Sequence, residues 1–241
     1  MSREPQPESR SRGRDHDVGP RRRDVEQAAK AATIAAYDAH AADYGRAVAE
    51  LPEKVRSTLD RFLGLLEPGA RVLEIGSGGG RDAAAMEAGG VRVRRTDITP
   101  GFVDRLRDQG YEACVLDPLT DDLRDPASPQ DPYDAVWAAA CLLHVARTDL
   151  PVVLGRLAAV TRAGGALHVS LKEGDGEGWS THGSVPAPRL FVYWREGPLR
   201  EALAATGWEV VEVGHGIGNR GEPWLDVLAR RADRPPAPPH S

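Results

Sequence analysis

Three acids and three glycines define the chemistry open to this chain. Glu74, Gly76, Gly78 and Gly80 fall within Val72 to Gly80, VLEIGSGGG, an apolar strand pattern running into a glycine-dense turn. Glycine lets the backbone turn sharply where a strand feeds a helix, and its missing Cβ lets a ligand approach the main chain. Asp97 closes a second apolar run, VRVRRTDI, at close to the roughly 20-residue spacing expected of a carboxylate that accepts two hydrogen bonds from a ribose diol. Asp117, followed by Pro118 and Leu119, closes a third run, YEACVLDP. Either aspartate alone also reads as a helix N-cap or a loop opener. In order, at three consecutive strand ends, the acids point to a nucleoside-bearing cofactor. A nicotinamide or flavin fingerprint, G-x-G-x-x-G, would need its last glycine where this chain has Arg81.

The glycine loop resembles the first motif of the class I S-adenosylmethionine-dependent methyltransferases, and the likeness covers about Tyr37 to Arg230. It extends to the WA-x-x-x-LLHV segment ending at Val145, the glycine turn Arg162-Ala163-Gly164-Gly165, the SLKEGDGE stretch, and the pair Trp224-Leu225 with Leu228. Within the class these features are similar to small bacterial enzymes of the tellurite-resistance and thiopurine type. The resemblance implies S-adenosyl-L-methionine as cofactor. It places Glu74, Gly76, Ser77, Gly78 and Gly80 at the amino-acid end, Asp97 and Ile98 at the ribose, and Asp117, Pro118 and Leu119 at the adenine, with Ala139 on the rim of the fourth strand. It also makes Tyr44 the aromatic that closes over the methionine moiety.

Methyl transfer from a sulfonium is an in-line displacement that needs no metal and no covalent intermediate, so positioning can supply about 7 to 11 kcal/mol of the acceleration. A general base helps only where the acceptor atom must lose a proton. His144, just past the fourth strand, can titrate near neutral pH and is the leading base, with packing as its other reading. Tyr37, His40 and Tyr44 share one helical face in YDAHAADYG, and Tyr37 reads equally as a packing residue. The excursion from Glu173 to Trp194, punctuated by glycine and proline, brings Trp179, His182, Arg189, Tyr193 and Trp194 as candidate acceptor walls. Arg189 suits a substrate carboxylate or a local acid, and the alternation of Phe191, Val192 and Tyr193 assigns part of the segment to the core.

Positioning these groups requires alternating strands and helices. Strands are expected near 71–76, 91–97, 111–116, 134–140, 165–171, 208–215 and 223–230, with helices near 80–89, 100–109, 148–161 and 195–206. Apolar strands separated by helices require a parallel sheet covered on both faces. Only Gly216 to Glu222 separates the last two strands, too short for a crossover, so they pair as an antiparallel hairpin. The fold class is α/β, and the resemblance supplies its Rossmann-like strand order, 3-2-1-4-5-7-6 with strand 7 antiparallel. Before the sheet, Ile34, Tyr37, Ala41, Tyr44 and Val48 suggest one amphipathic helix and Val55, Leu59, Phe62, Leu63 and Leu66 a second, so that one domain, 25–231, includes cap helices over 25–66. Residues 1–24, almost without large apolar side chains, and 232–241, rich in proline, are expected to be disordered.

With 241 residues, 41% hydrophobic, the chain can build one ordinary core. A net charge of -5 argues against a nucleic-acid surface, which needs a clustered positive field. Cys114 and Cys141 are the only cysteines, too few for a radical enzyme's iron–sulfur cradle or a zinc cluster. The N-terminus lacks a secretory pattern, and Ala135 to Ala146, the longest uncharged apolar stretch, is too short to span a bilayer, so a cytoplasmic setting is expected. The partner implied is a small-molecule methyl acceptor of aromatic or natural-product type. Alternatives at this stage are an RNA or peptide methyltransferase, a non-catalytic cofactor-binding scaffold, and a nicotinamide oxidoreductase.

Overall fold

The computed structural model describes residues 21–233. Three helices come first, α1 (Arg22–Asp38), α2 (Ala41–Ala47) and α3 (Glu53–Leu63). Alternation follows: β1 (Arg71–Ile75), α4 (Arg81–Ala88), β2 (Arg92–Asp97), α5 (Pro100–Asp108), β3 (Ala113–Val115), β4 (Tyr133–Ala139), a 3-10 turn (Leu142–His144), α6 (Leu150–Ala159) and β5 (Thr161–Lys172). The chain then makes β6 (Glu177–Ser180), β7 (Arg189–Val192), α7 (Glu196–Ala205), β8 (Trp208–Ile217) and β9 (Pro223–Arg231). One seven-stranded sheet runs β3-β2-β1-β4-β5-β9-β8, with β9 antiparallel to both neighbours. Counting only these strands, this is the expected 3-2-1-4-5-7-6 order.

Period-two alternation divides the sheet between two cores. Leu73, Ile75, Val136, Ala138, Leu167 and Val169 face α6 and α7, where Leu150, Leu154, Leu199 and Leu203 are buried. Val72, Ala135, Trp137 and Ala166 face α3 and α4, against Leu59, Phe62 and Met86. Because both faces are covered, the strands can be apolar throughout. Ligand access is left to the carboxyl ends, where β1 and β4 lie side by side although their outgoing connections diverge. No helix among the described residues is long and apolar enough to cross a membrane.

Four expectations change. The single helix expected to run through Val48 breaks at Ala39 and His40, because Asp38 turns its Oδ1 to the Gly101 N–H (2.7 Å) and ties the end of α1 to α5, redirecting α2. The glycine turn at 162–165 is drawn into β5, where Thr161 already pairs with Tyr133 and Gly164, at φ 68°, absorbs the irregularity. The excursion expected as a loop carries its own antiparallel hairpin, β6 with β7, closed at its base by a Glu173–Trp194 bridge. Arg22, Arg23 and Asp24, assigned by sequence to the leader, open α1. Residues 1–20 of that leader and residues 234–241 of the tail lie outside the described residues.

Candidate functional site

A cavity of about 570 Å³ opens at the carboxyl ends of β1 to β4 and is roofed by α1, α2 and the β6–β7 hairpin. A shallower depression of about 340 Å³ at the amino end of β4, near Arg124, Tyr133 and Arg156, holds none of the motif residues.

The floor of the cavity is backbone. Gly76, Gly78 and Gly80 all have positive φ, which L residues adopt at a cost. A Cβ on Gly76 would collide with Cys141, and one on Gly78 would meet Tyr44 at 3.4 Å. Asp97 fixes this turn: one carboxylate oxygen accepts from the Gly78 N–H (2.9 Å) and the other from the Thr99 N–H (2.8 Å). Burial pushes its pKa up, and these backbone donors pull it back. Asp97 also lines the cavity, at the strand end from which a carboxylate reaches a ribose diol. Further along the edge, Asp117 accepts from the Leu119 N–H (3.0 Å) and pairs with Lys30, which reaches over from α1. Pro118, Leu119, Ile98 and Ala139 complete this wall, and Tyr44 packs edge-on to Tyr37 and against Phe102 above it.

Glu74 and Ser77 lie beneath the cavity rather than in it. Glu74 is 1% exposed and accepts from the Ser77 hydroxyl, and burial lifts its pKa to about 8, so it is a neutral acid near pH 7. Gly80 is likewise outside the lining: it caps α4, and a Cβ there would meet Leu106 at 2.5 Å. These three residues shape the loop from below.

At the other end stand Tyr37 and His144. The Tyr37 hydroxyl lies 2.9 Å from His144 Nε2, and His144 Nδ1 lies 2.5 Å from the Leu190 carbonyl. A carbonyl only accepts, so Nδ1 carries the proton and Nε2 offers its lone pair to Tyr37. Burial, with Arg189 and Lys172 nearby, pushes the His144 pKa down to about 4. His40, the third candidate on that helical face, is directed elsewhere; its Nδ1 donates to the Ala36 carbonyl (2.9 Å) at the break between α1 and α2.

Of the candidate acceptor walls, Trp179 lines the cavity, half exposed on β6 beside Glu177. The other four do not. Arg189 is 2% exposed, and its guanidinium is spent on the carbonyls of His182 (2.8 Å), Val185 (3.1 Å) and Ala187 (3.2 Å), with one donor 3.4 Å from the Tyr37 hydroxyl. His182 turns toward Glu222 (3.3 Å). Just past the end of β7, Tyr193 lies over Gly174, partly buried against the core, and Trp194 is buried beneath Arg147. Sequence reasoning missed Lys30, Thr33 and Ile34 of α1, and Phe102, Leu142, Val145 and Val152, as lining residues. Only helical spacing from Tyr37 back to Lys30 and Thr33 could have flagged the first two.

The profile of a family described as a methyltransferase domain matches residues 47–213. A ubiquinone biosynthesis O-methyltransferase of Xanthomonas campestris pv. campestris is 34% identical over 105 residues, 43% of each chain. The match thus spans less than half the length of such curated relatives. Among solved structures, the 1,6-didemethyltoxoflavin-N1-methyltransferase of Burkholderia thailandensis, with its acceptor and S-adenosylhomocysteine bound, aligns at a TM-score of 0.61 and 20% identity, over 87% of this chain and 88% of that one. The magnesium protoporphyrin IX methyltransferase of Synechocystis PCC 6803 aligns at 0.62 and 16%, over 84% of this chain and 100% of that one. At such identities these two likenesses speak for the fold. Taken with the family match and with a glycine-floored, doubly acidic edge that suits a nucleoside, they make the chain a member of the methyltransferase-domain family, of class I and dependent on S-adenosylmethionine.

Proposed function

We propose that this chain methylates a small molecule held between α1, the 3-10 turn after β4 and the β6–β7 hairpin. The observation that carries the reading is the continuity of one cavity, from Asp97 and Asp117 at one end to Tyr37, His144 and Trp179 at the other. When bound, S-adenosylmethionine supplies an electrophilic methyl carbon, whose bond to sulfur is replaced by one to the acceptor's nucleophilic atom. The protein's part is to align and enclose. Asp97 takes the ribose, Asp117 and Leu119 the adenine, Gly76 and Gly78 the amino-acid end, and Tyr44 shuts off solvent above it.

Two of the relatives are named for O-methylation in ubiquinone biosynthesis and N1-methylation of a didemethyltoxoflavin, and a small acceptor with a ring fits the same description here. Trp179 and Tyr37 offer it flat apolar faces. The net charge of -5 supports an acceptor other than nucleic acid.

The test is direct. The purified protein is titrated calorimetrically with S-adenosylhomocysteine and with NADH, then incubated with isotopically labelled cofactor and cell extract. Heat with the first compound only, and a label in the metabolite fraction, are the expected results. Label confined to RNA, DNA or protein sinks the small-molecule reading.

A further inference from the structure

The arrangement around Tyr37 answers a question the cofactor edge leaves open: what becomes of the acceptor's proton. The Tyr37 hydroxyl has one proton, and His144 Nε2 takes it in a hydrogen bond, since Nδ1–H is committed to the Leu190 carbonyl. The Leu190 peptide is itself fixed, its N–H donating to Thr33 Oγ1 of α1 (3.1 Å). Arg189 donates to the same Tyr37 oxygen at 3.4 Å, and its carbon lies 5.3 Å over the Tyr37 ring. With its proton directed to His144 and one lone pair turned to Arg189, the phenol can still accept a hydrogen bond from the cavity. The site therefore calls for an acceptor that donates.

We propose that Tyr37 and His144 form a proton relay, aligned by Arg189, that serves an acceptor whose nucleophilic atom is a hydroxyl oxygen. The proposal rests on the methyl-transfer reading above and names its substrate class. As the hydroxyl oxygen gives its lone pair to the new bond with carbon, its proton passes to the Tyr37 oxygen while the Tyr37 proton moves to His144 Nε2. His144 then carries both protons as an imidazolium, and releases one to solvent when the product leaves. Amines can lose their proton after the methyl is in place; a hydroxyl gains most from losing it during the step, which is why a pre-aligned relay marks an oxygen acceptor.

Arg189 and Lys172 are positioning residues. Arg189 favours negative charge on Tyr37 in passing. Lys172 is 6% exposed, with its ammonium 3.9 Å over the Phe191 ring, which in turn packs 4.8 Å from His144. Neither cation makes a salt bridge among the described residues: Arg189 bonds three backbone carbonyls, and Glu222 is the carboxylate that acts on Lys172. The charged and titratable groups facing the relay are Tyr37 from α1, Asp97 at the end of β2, Cys141 before the 3-10 turn, Lys172 from β5 and Arg189 from β7. Burial first, and then Arg189 and Lys172 among these groups, disfavour the charged imidazole and hold His144 neutral, the form that can receive a proton.

The first test needs no acceptor. In protein labelled with 15N at histidine, His144 should appear as the Nδ1–H tautomer and stay neutral down to about pH 4. Tyr37→Phe should move its Nε2 resonance and leave the tautomer unchanged. An Nε2–H tautomer, or titration in the ordinary histidine range, overturns the proposal. The second test uses cofactor carrying 13C in its methyl group, incubated with cell extract. The labelled methyl should reside on oxygen, and Tyr37→Phe and His144→Asn should slow its appearance about 100-fold or more while S-adenosylhomocysteine affinity stays within about threefold. Lys172→Met should move the acidic limb of the rate profile to higher pH, which a purely structural role would not do. A methyl on nitrogen or sulfur, or transfer at an undiminished rate in Tyr37→Phe, overturns it. Absence of cofactor binding in the wild type would instead sink methyl transfer itself and leave the tautomer result standing.

Discussion

Asp97 organises a loop and, on the proposed reading, a ligand with the same side chain. Its two oxygens hold the Gly78 and Thr99 N–H groups, and charge-assisted bonds of this kind contribute about 1.5 to 3 kcal/mol each. Asp97→Asn loses the charge and turns an amide donor toward one of those N–H groups. S-adenosylhomocysteine affinity should fall about 10- to 100-fold by calorimetry. Glu74 behaves in the opposite way. Its folded pKa of about 8 stands above the ordinary 4.5 because burial disfavours the anion. The native state therefore binds more protons than the unfolded chain between those values, and this group's contribution is complete below the lower one and lost as pH rises through the upper. Melting curves from about pH 5 to about pH 9 should show a decline that Glu74→Gln flattens. At this scale the sequence was legible where chemistry needs glycine or an acid at a strand end. It did not show that Glu74 is desolvated by its neighbours, nor that Arg189 finds carbonyl partners in a turn that no spacing rule describes.

Alternation of apolar strands with helices revealed the sheet to within a residue or two, except at the start of β5, because both faces bury continuous runs. The β6–β7 hairpin escaped notice since its short strands pair only with each other and carry few cues beyond the alternation at Phe191 to Tyr193. The break between α1 and α2 was hidden for a different reason: it depends on a tertiary bond from Asp38 to Gly101, while every residue through Val48 accepts a helix. α1 is the element with most to reveal experimentally. Lys30 fastens it to Asp117 across the cavity, with both side chains about four-fifths buried. Lys30→Met should raise the dissociation rate of S-adenosylhomocysteine about two- to fivefold in stopped flow, consistent with a pair worth up to roughly 1 kcal/mol, and added salt should narrow the difference from wild type.

For the molecule as a whole, the family match and the acceptor end of the cavity divide the chain unequally. The matched region, 47–213, contains the glycine turn, Asp97, Asp117 and His144, whereas α1, with Lys30, Thr33 and Tyr37, lies before it. On the proposed reading, cofactor binding belongs to the shared sheet, while one of the three elements around the acceptor, α1, lies outside the matched region. A variant beginning at residue 39 keeps all seven strands of the main sheet. It should hold S-adenosylhomocysteine to within about tenfold, or 1.4 kcal/mol, and transfer methyl groups at least about 100-fold more slowly.

Tyr37 and Lys30 ride on one rigid helix, while His144 and Asp117 sit on the framework beneath it. Were that helix to rise and admit a ligand, the phenol would leave the imidazole in the same movement, and the proposed relay would be broken. Docking and proton removal would then be interlocked through one helix, and a sulfonium held while it is raised would be spared discharge to stray water.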